Sequence, residues 1–106
     1  GLIDFFFFFG VGEAPLLFWG DAPGLSYILD TPSAIFTTWP EIPSNSYGEL
    51  DRALKELEWN PDIILHNEPG RDIVEGEKTD LILDYIAEYH YTCIYENSCY
   101  KVYRLL

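Results

Sequence analysis

Apolar and polar positions along this chain fall into alternating blocks. After Pro15, "LLFW" is apolar at all four positions and stops at Gly20-Asp21, the pattern of a strand buried on both faces. "PGLSYILD" follows, with Leu25, Ile28 and Leu29 spaced for about two turns of helix. "SAIFTT", residues 33–38, predicts a second short strand, and a Pro-rich connection leads on from it. Ser46-Tyr47-Gly48-Glu49 then fits a capping box. Behind it Leu50, Ala53, Leu54 and Leu57 line one helical face, with Asp51–Lys55 and Arg52–Glu56 paired at i, i+4, until Asn60-Pro61 ends the helix. Ile63 to Leu65 form a third buried strand. From Thr79, the spacing of Ile82, Tyr85, Ile86 and Tyr89 gives a second helical face. The closing "HYTCIYENSCYKVYRLL" is aromatic and β-branched on both sides of Asn97-Ser98, which reads as a hairpin.

Strands alternating with helices predict an α/β fold with right-handed parallel crossovers. The expectation is a small three-layer Rossmann-like domain over residues 13–106. Its mostly parallel sheet would have strand order 2-1-3-4-5, with the C-terminal antiparallel hairpin at an edge. Residues 1–12, "GLIDFFFFFGVG", stand apart. Five consecutive phenylalanines, Phe5 to Phe9, follow neither period and read as a strand, a tail or a membrane-proximal stub. No initiator methionine and no basic leader precede them, so the chain looks like an excised piece.

Composition narrows the classes. With 106 residues, 48% of them hydrophobic, the chain holds one domain with one modest core. A formal charge of −12 argues against nucleic acid and against anionic lipid, both of which need basic surface. Two cysteines, Cys93 and Cys99, and two scattered histidines make no zinc pattern, and no metal or other cofactor is implied. A two-residue turn at Asn97-Ser98 would point the two cysteines to opposite faces, leaving free thiols. Only a three-residue loop, Tyr95 to Asn97, would set them opposite each other.

In a 2-1-3 sheet the first and third strands are neighbours whose following connections diverge, and ligands bind open α/β sheets at such a switch point. The residues delivered there are Gly20, Asp21, His66, Asn67 and Glu68, with Arg71 nearby. Asp21 would accept a hydrogen bond from a hydroxyl, and Glu68 with His66 would form an acid–base pair. The competing structural reading makes Asp21 a helix cap and "GDAPG" a tight turn. There is no dinucleotide fingerprint, phosphate-binding lysine loop or nucleophile elbow.

The stretch "LLFWGDAPGLSYILDTPSA" resembles the C-terminal extracytoplasmic domains of polytopic glycosyltransferases of the dolichyl-phosphate-mannose protein mannosyltransferase type. The matching pieces are Trp19-Gly20, Pro23 to Leu29, and Pro32-Ser33-Ala34. "LKELEWNPDIILHNEPG" is similar to their helix followed by a Pro-Asp-Ile-Ile strand, and "YTCIYENSCYKVYRLL" to their closing hairpin. The likeness spans residues 15 to 106, and the Phe run departs from it. It implies a non-catalytic accessory domain, with the catalytic acid elsewhere in the parent protein and no catalytic residue in this chain. The implied partner is the membrane-embedded part of the same protein, with a carbohydrate or sugar phosphate as ligand. The implied location is the extracytoplasmic face, the isolated chain being soluble. Two other readings remain. One is a stand-alone small-ligand binder or enzyme using the switch-point cluster, and the other is a protein-interaction module contacting through its edge strand or hairpin.

Overall fold

A computed structural model describes residues 14–20, 27, 29–37, 40, 44–66 and 77–106. In chain order the elements are β1 (Leu17–Trp19), α1 (Tyr47–Lys55), β2 (Ile63–His66), α2 (Glu77–Glu88), β3 (Thr92–Glu96) and β4 (Tyr100–Arg104). They build one four-stranded sheet of order β1-β2-β4-β3. β1 pairs with β2 in parallel, Phe18 opposite Ile64, while β4 runs antiparallel to both β2 and β3.

This corrects the expected fold. Among the described strands β1–β2 alone is a parallel pair, so the sheet is not mostly parallel. The segment expected as a second strand contributes a single bridge, Ser33 beside Leu16, after which the chain bends away. The last two strands also exchange places: β4, not β3, lies against β2. The reason is in their side chains. β4 carries Val102, which is wholly buried, and Arg104, which reaches Asp62 at the start of β2. β3 exposes Thr92, Cys93 and Glu96 and carries a bulge at Ile94, where Cys93 pairs with Tyr103 but Tyr95 pairs with Val102. A bulged, exposed strand suits an edge and not the middle of a sheet.

The three-layer expectation is not met by the described helices, which share one face. Leu17, Trp19 and Ile63 on that face pack with Leu50 and Leu54 of α1 and with Leu81, Ile82 and Tyr85 of α2. On the other face Phe18, Ile64 and Val102 form a smaller cluster with Leu16, joined by Leu29, Ile94, Tyr95 and Tyr100. Strand alternation accounts for this division residue by residue. The bulge brings both Ile94 and Tyr95 to the second cluster.

Local chemistry fixes the ends of the helices. Ser46 Oγ accepts from the Glu49 N–H at 3.2 Å, and Glu49 Oε1 accepts from the Ser46 N–H at 3.4 Å, which closes the capping box. Lys55 pairs with Asp51 at 2.9 Å. At the end of α2 the Tyr91 N–H donates to Ile86 O and the His90 N–H to Ala87 O, with His90 left-handed at φ 58°. That is a Schellman stop with histidine in the position glycine usually takes. No helix among the described residues is long and apolar enough to cross a membrane.

The hairpin closes one residue later than expected. Asn97 N–H donates to Tyr100 O, and Asn97 Oδ1 accepts from the N–H groups of Cys99 and Tyr100 at 2.8 and 2.7 Å. Ser98-Cys99 is therefore the turn, built on an Asx bond that competes well with the backbone's own. Cys99 sits at the tip and Cys93 opposite Tyr103, and both are free thiols.

Candidate functional site

The strands define two ends of the molecule. At the upper end lie the carboxyl ends of β1 and β2, the start of β4 and the hairpin turn. At the lower end lie the starts of β1 and β2, the last turns of both helices and the end of β4.

Gly20 and His66 meet at the upper end. Gly20 adopts φ +95°, and a Cβ placed on it would collide with the His66 carbonyl oxygen. Glycine is required here twice over, by the left-handed backbone and by the close approach of the next strand. Of the residues described after β1, Leu29 packs against the cluster of Leu16, Phe18, Ile64 and Val102 on one face of the sheet, and Ser33 lies beside Leu16. Of those described after β2, Leu81, Ile82 and Tyr85 of α2 pack on the other face.

Of the residues expected at this point, His66 is at the end of β2 as placed. Its ring faces Tyr100 at 4.9 Å between centroids, tilted by 43°. Asp21, Asn67, Glu68 and Arg71 lie outside the described residues. Among the described residues, two polar atoms at this end are buried with no hydrogen-bond partner: His66 Nδ1 and Trp19 Nε1. The two side chains project to opposite faces, Trp19 into the helix layer and His66 toward Tyr100. Buried polar atoms are nearly always paired, so each of the two marks a point on its own face of the sheet where a further hydrogen-bonding group would be accommodated.

No periodic signal points to Trp19 and Tyr100 as members of this cluster. Trp19 reads as the last apolar residue of a strand, and its indole N–H is the signal passed over. Tyr100 comes opposite His66 because β4, not β3, pairs with β2, which no periodicity reveals. Burial raises the Tyr100 hydroxyl above its ordinary pKa, with Cys99 adding to the shift.

The lower end is closed by polar contacts. The Arg104 guanidinium grips both carboxylate oxygens of Asp62, its Nη2 at 2.9 Å, and this bond raises the Arg104 pKa. Tyr91 Oη donates to Pro61 O at 2.7 Å, and Asn60 Nδ2 donates to Tyr85 Oη at 3.1 Å. Burial pushes the Tyr91 hydroxyl well above its ordinary pKa. Among the described residues no group of three or more His, Cys, Asp or Glu side chains is placed to hold a metal. No family model matches the chain, and comparison with curated proteins and with solved structures found no similar protein.

Proposed function

We propose that the chain is a non-catalytic extracytoplasmic domain of a membrane glycosyltransferase that uses polyprenyl-phosphate sugars. Its partner is the membrane-embedded part of the same parent protein. The observation that carries the reading is where the resembling pieces meet. Asp62 of "PDII" is chelated by Arg104 of "YKVYR", and Gly20 of "FWG" packs on the carbonyl of the residue that closes the "PDII" strand. These motifs are joints of a sheet and not members of a reactive cluster, as expected of a domain whose part is to stand beside a catalytic site. The likeness then reports architecture, and the chemistry belongs to the rest of the parent protein.

The side of the membrane is testable through Cys93, whose thiol is exposed. In intact cells expressing the full-length protein with Cys99 replaced by Ser, a membrane-impermeant maleimide should label Cys93 without lysis, and the signal should fall when Cys93→Ser is added. Labelling only after permeabilisation would overturn the reading.

His66 Nδ1, which has no hydrogen-bond partner among the described residues, favours a second reading, in which the upper end binds a carbohydrate or sugar phosphate. Saturation-transfer NMR against simple sugars, sugar phosphates and nucleotides tests it. Saturable binding lost in Glu68→Gln supports a site, whereas silence across the panel removes it.

A further inference from the structure

Of the four asparagines in the chain, Asn97 alone has a Ser, Thr or Cys two residues on, with Ser98 between them and no proline at that position or at Tyr100. Asparagines that accept N-linked sugar carry Ser or Thr at that distance, across any residue but proline. The thiol of Cys99 is, like a hydroxyl, both a hydrogen-bond donor and an acceptor, and it is free. Asn97 and Ser98 are exposed and Cys99 half-buried, all in the turn between β3 and β4. The Asn97 carboxamide is also held in a defined state. Its Oδ1 accepts from the N–H groups of Cys99 and Tyr100 at 2.8 and 2.7 Å, and its Nδ2 donates to Tyr95 Oη at 3.1 Å. A carboxamide has two Nδ2 hydrogens, so one is left over. When that proton departs, negative charge gathers on Oδ1, where two backbone donors are already aimed. The same turn therefore exposes the amide, eases its deprotonation and closes a ring between residues 97 and 99.

We propose that Asn97 is the attachment point of an N-linked saccharide. The donor is a saccharide carried on a polyprenyl phosphate or diphosphate, and a separate transferase supplies the base. Nδ2 attacks the anomeric carbon while the base takes its proton. The new bond joins that carbon to Nδ2, and the bond from the same carbon to the phosphate oxygen breaks. The lipid phosphate leaves with the electron pair, and nothing is oxidised or reduced. The inference rests on reading the chain as an extracytoplasmic domain, where such donors are used. It makes the hairpin tip an acceptor of sugar. The competing role of Asn97 is to hold the turn alone, and that role needs the backbone N–H of Cys99 but not its thiol.

The test isolates the full-length protein from the membranes of the cells that naturally make it and determines the mass of the peptide containing Asn97. That peptide should carry the added mass of one or more sugars, located on Asn97 by fragmentation. Cys99→Ala, expressed in the same cells, keeps the backbone N–H and hence the turn, and it should lose the sugar. Cys99→Thr restores a hydroxyl and should keep the sugar at higher occupancy. Asn97→Asp keeps an acceptor oxygen for the turn and should be bare. A bare Asn97 in the parent overturns the proposal, even if Cys99→Thr is modified. A sugar that survives in Cys99→Ala overturns it as well, because the thiol then has no part in recognition. Cys93 labelled from outside together with a bare Asn97 sinks this inference alone, whereas Cys93 labelled only after permeabilisation sinks the reading beneath it.

Discussion

The two ends of the sheet are joined by different means. At the lower end, side chains do the joining: Arg104 grips Asp62, Tyr91 holds the Pro61 carbonyl, and Asn60 meets Tyr85. At the upper end, β1 and β2 touch through bare backbone at Gly20, and two buried polar atoms have no partner among the described residues. A satisfied polar network fixes one arrangement of its elements, while an orphaned atom holds no neighbour in place. The difference separates an end specified by its own side chains from one with hydrogen-bonding capacity in reserve.

The largest break in this comparison should come from Gly20→Ala. The added methyl meets the His66 carbonyl in a left-handed backbone, and urea denaturation should show a loss of about 3 kcal/mol or more. Arg104→Gln comes next. It leaves the Asp62 carboxylate largely buried and unpaired, at about 2 kcal/mol after allowance for partial exposure of the pair.

Tyr91→Phe should cost about 1 kcal/mol near neutrality through the lost bond to Pro61. It should also flatten the alkaline limb of stability. The Tyr91 pKa is raised in the fold above the ordinary 10.0, so its contribution is complete below pH 10. Above that pH the unfolded chain loses the proton first, and stability falls; without the hydroxyl, denaturation curves from pH 9 to 11 should converge on a shallower slope. The smallest effect is expected of His66→Phe, which keeps the ring against Tyr100 and removes the orphan nitrogen. Thermal melts should place it within about 0.5 kcal/mol of the parent. A cost equal to that of Tyr91→Phe would dissolve the contrast between the ends.

What could be read from the sequence follows from the range of the signal. The capping box at Ser46 and Glu49 and the face of Leu50 and Leu54 are local, and both are present. The strand beginning at Ile63 is flanked by Pro61 and polar residues, and it too is where the pattern placed it. Strand order is not local. It depends on the bulge at Ile94 and on the Asp62–Arg104 pair, which joins residues 42 positions apart, and neither has a periodic signature. The strand expected over residues 33–38 shows the same limit, because apolar content there supports only the Ser33 bridge. At the candidate site His66 was legible as a strand end, but the orphan state of its nitrogen depends on everything packed around it.

Because β4 lies between β2 and β3, the strand that joins them leaves the ribosome after both. Until Tyr100 to Arg104 have emerged, β2 has one open edge and β3 has no partner among the described strands. The parallel β1–β2 pair must therefore wait, with Ile63 and Ile64 uncovered along that edge, for a strand about 36 residues downstream. Synthesis that stalls or terminates before Val102 would release not a smaller sheet but one without its middle strand. The hairpin is local and forms quickly once complete, so the slow event in folding is its insertion against β2.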